Sequence, residues 1–197
     1  MKQLMNPTAI EKECLARVDR DEAWAAEHGK KINRDRRLAK YVNEILAKWK
    51  RIEAMPDPES IVINIEWKKS RMWGYNPHAK ARVHCKDGTF RTFETTCGGC
   101  GYDKHSTVVA HLLNECLLGV LTRAYAKGVM IPYGATGCRD GIYPPRFDDG
   151  VGMSCYDGDH GVLTAIGCSI MHTASGDSFD SWCITYPAPK KRRAKGA

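Results

Sequence analysis

Apolar and polar residues alternate most regularly near Ser60, where Ile61, Ile63, Ile65 and Trp67 share one face and Val62, Asn64, Glu66 and Lys68 the other. A period of two over this length predicts a strand with one buried side. Residues 80–86 and 89–96 read as two further strands joined through Asp87-Gly88, a pair that favours a two-residue type I′ turn. That turn pairs Cys85 with Phe90 and Val83 with Thr92. It sets Ala81, Val83, Cys85, Phe90 and Thr92 on one face, and Lys80, Arg82, His84, Lys86, Arg91 and Phe93 on the other. Downstream, Val108, Val109, Leu112, Leu113, Cys116, Leu117, Val120 and Leu121 surround most of one helix over residues 103–128. A helix apolar on so many sides is buried on more than one of them. Asp103 or Ser106 is placed to cap its start, and Gly128 to end it.

Two helices precede the strands. The first begins around Asn6-Pro7-Thr8, with Thr8 as cap, carries Ile10, Cys14 and Val18, and stops at His28-Gly29. In the second, Leu38, Tyr41, Ile45, Trp49 and Ile52 follow three-four spacing up to the linker Pro56-Asp57-Pro58. After Gly128, residues 129–131 form a short strand, and residues 132–150, with Tyr143-Pro144-Pro145-Arg146-Phe147, form a long loop of the kind that often carries function. A short helix around Val162, Leu163 and Ile166 closes at Gly167, and two strands ending at Tyr186 make a terminal hairpin with Trp182 and Ile184 inward. The fold class is α+β: an antiparallel sheet of about five strands packed on a long central helix, with an N-terminal helical arm. Three regions follow, a basic arm at 1–56, an α+β domain at 57–188 and a disordered basic tail at 189–197. Helix, three strands and helix is also the order of a double-stranded-RNA-binding domain, but the basic cluster that fold needs at its second helix is reduced here to Lys104.

Charge changes the picture more than composition does. Of the net +7 in 197 residues, the stretch from Lys30 to Arg51 holds nine Lys or Arg against Asp35 and Glu44, and the tail adds five more positive residues. The region between them is near neutral or slightly acidic. This distribution favours a polyanionic partner and argues against an acidic nucleic-acid mimic. The candidate contacts are Lys80, Arg82, Lys86 and Arg91 on the hairpin and Arg34, Arg37, Lys48 and Arg51 on the second helix. Solvated outer faces and packing helices explain such residues as well. No apolar run approaches the roughly 20 residues of a membrane span, and no apolar h-region marks a signal peptide. A cytoplasmic location is expected.

Nine cysteines, an odd number at apolar positions, fit reduced core thiols; Cys14, Cys116, Cys168 and Cys183 all fall where burial is expected. Cys97-x-x-Cys100 with His105, and with His84 or Cys85 brought near by the hairpin, has zinc-ligand spacing but lacks a second pair. Cys100 with His105 or His111 is a nucleophile candidate without an orienting third group. Asp148-Asp149 and Asp157-x-Asp159-His160 could hold Mg²⁺ for phosphodiester cleavage, although Asp and Gly also simply make turns. Trp73, Tyr75 and Tyr102 are the aromatic candidates for an exposed interface, the first two in a loop before Pro77.

Two motifs carry a resemblance. Ser70-Arg71-Met72-Trp73-Gly74-Tyr75-Asn76-Pro77 and Gly99-Cys100-Gly101-Tyr102-Asp103-Lys104-His105-Ser106-Thr107 are similar to the pattern Ser-Arg-x-Trp-Gly-x-Asn-Pro and Gly-Cys-Gly-Tyr-Asp-Lys-x-Ser-Thr of small accessory proteins of phages and mobile elements. The similarity extends over residues 61–186 and transfers no catalytic residue. Accessory genes of this kind include inhibitors of bacterial defence, anti-CRISPR proteins among them. The resemblance therefore implies a binding protein, in a bacterial host cell, that blocks nucleic-acid engagement by a defence nucleoprotein such as a CRISPR nuclease. A stand-alone DNA- or RNA-binding regulator and a metal-dependent hydrolase or nuclease are the alternatives. A homodimer through the N-terminal helices is a further expectation.

Overall fold

The computed structural model describes residues 4–70, 74–96, 104–129, 135–148, 161–176 and 179–189. The chain runs α1 (Pro7–Glu27), α2 (Arg34–Glu53), β1 (Pro58–Ser70), β2 (Gly74–Cys85), β3 (Phe90–Thr96), α3 (Lys104–Cys116), α4 (Leu118–Ala126), β4 (Ala135–Thr136), β5 (Arg146–Phe147), α5 (Gly161–Ala165), β6 (Ser169–Gly176) and β7 (Phe179–Tyr186). Five strands form one antiparallel sheet in the order β3-β2-β1-β7-β6, and β4 pairs with β5 separately. The α+β class and the five-strand sheet are those expected from the alternation. Residues 130–134, 149–160 and the basic tail from Lys190 fall outside the described set, and with them most of the short strand expected at 129–131.

β1 lies in the middle because Ile61, Ile63 and Ile65 are all buried and both of its edges are paired. Its C-terminal neighbour β7 brings Ile184 into the same core, with Trp182 half-buried beside it. α3 lies across the inner face of β2 and β3. The expected single helix is broken at Leu117, where φ is −115° and ψ −1°, so that α3 and α4 are separate elements. α4 then packs against α2 and β5, which buries apolar residues on sides that one straight helix on the sheet would leave wet. The outer face of the sheet has no covering layer among the described residues.

The β2–β3 turn departs from expectation. Cys85 N–H donates to the Thr89 carbonyl at 2.9 Å, and Gly88 N–H to the Cys85 carbonyl at 2.9 Å. Only Gly88, at φ +81°, is left-handed in this turn, and the Asp87 carboxylate accepts from the Thr89 N–H and hydroxyl instead. A type I′ turn needs both central residues left-handed, so the connection is a three-residue loop with a glycine bulge. The register moves by one: His84 faces Phe90 and Val83 faces Arg91. A one-residue slip turns every side chain of β3 over. Phe93 packs on the core, while Phe90 is 55% exposed beside His84 on the outer face.

β2 also begins earlier than expected, so residues 74–79 are strand and not loop. Pro77 sits there opposite Trp67, beyond the last described β2–β3 pair, His78 with Thr96. At the N-terminus Asn6, not Thr8, caps α1, accepting from Ala9 N–H at 3.2 Å. Pro7 occupies the first helical position and leaves the cap to the residue before it. The helical arm is not free-standing. Ile10, Cys14, Ile45 and Trp49 form a small core with Ile142 of the long loop. Gly141 N-terminally adjoins that contact at φ +72°, and a Cβ there would lie 2.5 Å from the Leu4 carbonyl and 2.7 Å from Asn6 Cβ.

The described cysteines Cys14, Cys85, Cys116, Cys138, Cys168 and Cys183 are free thiols. Burial pushes the Cys168 thiol up to about 12 and raises that of Cys116, helped by the neighbouring Cys168. Cys183, expected inside, is half-buried and alternates onto the outer face opposite Asn64 and Met171.

Two predictions follow from these packings. Gly141→Ala should destabilise by about 2–4 kcal/mol, from left-handed strain plus collision with backbone, whereas Gly88→Ala, with open space around it, should cost only about 1–2 kcal/mol. Thermal unfolding checks the order, and equal losses would refute the clamp at Leu4 and Asn6. In native protein Cys183 should alkylate ahead of the buried Cys116 and Cys168, which are labelled only after denaturant is added. Peptide mapping after timed alkylation reads this, and equal rates would contradict the burial.

Candidate functional site

The eight cations expected to face a polyanion do not form one surface. Lys80 lies directly across from Glu94 and pairs with it, holding that carboxyl below its usual range by hydrogen bonding and charge. Lys86 is 3.8 Å from Asp57, which also holds Arg123 at 2.7 Å. Arg91 has moved with the register to the inner side, its guanidinium 5.0 Å from the Phe93 ring centroid. Only Arg82 keeps the expected outward position on the hairpin without a carboxylate partner among the described residues. On α2, Arg34 is held by Asp19 at 2.8 Å and by Glu22, and Arg37 lies 3.6 Å from Asp21. Exposed pairs of this kind add little stability, but each one cancels local charge.

Other expected sites fall outside the described residues: Trp73, Tyr102, Cys97, Cys100, Asp149, Asp157, Asp159 and His160, together with the side chains of Tyr75 and His105. Tyr75 itself belongs to β2, paired with Lys69, and not to a loop. His84 and Cys85, the two candidates to join Cys97 and Cys100, point to opposite faces, His84 edge-on to Phe90 at 4.9 Å and Cys85 into the core. Among the described residues no three His, Cys, Asp or Glu side chains come together as a metal site.

What the fold does assemble is a cleft of about 480 Å³ between α2, the α3–α4 junction and the loop at 137–146. Lys48, Arg51 and Ile52 line it from α2, Asn114 and Leu118 from the two later helices, and Arg139, Tyr143, Pro144, Pro145 and Arg146 from the loop. Four backbone anchors hold that loop. Asn6 N–H donates to the Gly141 carbonyl at 2.8 Å, and Trp49 Nε1 to the Ile142 carbonyl at 3.0 Å. The Tyr125 hydroxyl donates to the Cys138 carbonyl at 3.2 Å. Asn114 grips Phe147 from both sides of its amide, each bond 3.0 Å, like a neighbouring strand.

The cleft is lined by four cations and no carboxylate. Three of the four are paired with acids outside the lining: Glu115 holds Arg51, Glu13 holds Arg139 at 3.2 Å, and Asp148 holds Arg146 at 3.2 Å. Lys48 has no carboxylate partner among the described residues and lies 5.8 Å from the centroid of the Tyr143 ring, which Arg139 approaches at 5.2 Å. All four cations remain exposed enough to meet a ligand. A second recess of about 550 Å³ opens at the start of α2, lined by Lys31, Ile32, Asn33, Arg36, Arg37 and Lys40. Arg37, Lys40, Glu44, Lys48 and Arg51 follow three-four spacing along one side of α2 and join the two recesses over about 21 Å at 1.5 Å per residue. Glu44 interrupts the run, 3.8 Å from Lys40.

Lys48 and Arg51 were therefore legible from sequence, while Lys31, Arg36, Lys40, Arg139 and Arg146 were not singled out as contacts. The density of the Lys30–Arg51 block was the available signal for the first three, and the long Tyr-Pro-Pro-Arg loop for the last two. No family model matches the chain, and neither a curated protein nor a solved structure matches it, so the cleft and the flank of α2 are read on their own chemistry.

Proposed function

We propose that this protein binds nucleic acid, holding phosphates in the cationic cleft and along the adjoining side of α2. The observation that carries the proposal is the cleft lining, where four cations converge with no carboxylate among the lining residues, three of them paired with an acid outside it. An anion entering there meets a lining of guanidinium and ammonium groups, and backbone phosphates are the polyanion such a surface fits. The hairpin is left aside in this reading, because Lys80 and Lys86 are paired with acids and Arg91 is turned inward, which leaves Arg82 as its one outward cation without a carboxylate partner among the described residues.

The motif resemblance to phage and mobile-element accessory proteins supports a narrower version, in which the chain blocks nucleic-acid engagement by a bacterial defence nucleoprotein such as a CRISPR effector. Occupying the guide or the target strand is the physical route open to a basic binder. In that version, adding the protein to a guide-loaded effector abolishes its gel shift on target DNA; an unchanged shift defeats it and leaves the broader reading standing.

The broader reading is tested by fluorescence anisotropy of a labelled oligonucleotide across a salt series. Log affinity should fall linearly with log salt, and Lys48→Ala and Arg146→Ala should each reduce the slope by about 1. Binding that ignores salt, the absence of binding, or a loss seen with Arg82→Ala but not with the two cleft variants would overturn the assignment.

A further inference from the structure

A ridge that only tracks phosphates can be wet and polar throughout, but this cleft is not built that way. Its floor is apolar: Ile52 and Pro144 are buried, Leu118 is 7% exposed and Tyr143 is half-buried. Its rim carries Lys48 and Arg146. A ligand matched to both must bring a flat or apolar surface and a negative charge within one small volume. A nucleotide does so when its base is unstacked and its phosphate stays outside. A duplex does not, because its bases are stacked and show only their edges in the grooves. The size agrees, since about 480 Å³ lies within the roughly 300–1,000 Å³ of small-molecule pockets.

Resting on the nucleic-acid reading above, we infer that the cleft admits one unstacked base with its flanking phosphate, so that the ligand is single-stranded. The base rests on the Tyr143 ring in place of a cation: Arg139 and Lys48 lie over that ring at 5.2 and 5.8 Å, and one of them gives way as the base enters. Lys48 and Arg146 take the phosphate. The anchored loop keeps the pocket open before the strand arrives, so little ordering remains to oppose binding.

Competition binding at one fixed salt concentration tests this, using four probes: a short single strand, its duplex, an abasic strand of equal charge, and a free mononucleotide. The single strand should bind about 5- to 150-fold more tightly than either the duplex or the abasic strand, the range expected for one stacked base. Tyr143→Leu should erase that preference while leaving the salt slope as it was. Displacement of the strand by the mononucleotide at comparable concentration would show that the pocket serves a free nucleotide, and would overturn the single-strand assignment. Equal affinity for single strand and duplex, or for intact and abasic strands, overturns base capture yet leaves the salt-dependent phosphate binding intact. The abasic comparison uses the unaltered protein, so it decides the matter even if the Tyr143 variant folds poorly.

Discussion

The buried side of β1 is the constraint on which the other elements depend. Ile61, Ile63 and Ile65 must leave water together, and a strand can do this only if both of its edges find hydrogen-bond partners. β2 satisfies one edge from nearby in the chain, and β7 satisfies the other from more than a hundred residues away. That second pairing brings the C-terminal hairpin back into the sheet, closes the core over Cys168 and Ile184, and leaves the intervening helices and long loop to pack on one side.

That arrangement also makes the cleft. α3 and α4 are too apolar to lie singly on the sheet, so α4 turns to meet α2 and carries the helical arm onto the domain. The loop leading into β5 is then held between the N-terminal helices and the α3–α4 pair. Its carbonyls at Cys138, Gly141 and Ile142 accept bonds from α4, from the residue that caps α1 and from α2. A loop fixed by its backbone holds Arg139, Tyr143 and Arg146 near one another, and the pair with Glu13 ties Arg139 to α1 besides.

The β2–β3 hairpin shows how one turn redistributes charge. Because Asp87 folds back on Thr89 instead of adopting a left-handed conformation, the loop gains a residue and β3 turns over. Glu94 then stands opposite Lys80, and Arg91 leaves the outer face. Two cations that looked like neighbours in sequence end on opposite sides of a sheet, and a third meets an acid. On α2 the same residue type has two fates. Arg34 is tied down by α1, whereas Lys48 has no carboxylate partner among the described residues and lies over an aromatic ring.

The alternation at residues 61–65, the three-four spacing of α2, the stop at Gly128 and the terminal hairpin were all determined by local sequence. Each is set by a repeat of two or 3.6 residues, or by a glycine at a positive φ, and these signals act over one or two turns of chain. The α+β class follows from them. The hairpin register, the break at Leu117, the docking of the arm and the convergence of Lys48, Arg51, Arg139 and Arg146 were decided only by the tertiary structure. Those features depend on which carboxylate or apolar face arrives from elsewhere, as when Glu13 of α1 backs Arg139 across more than a hundred residues. No local pattern encodes the arrival of a partner so distant in the chain, because the contact exists only once the core has closed.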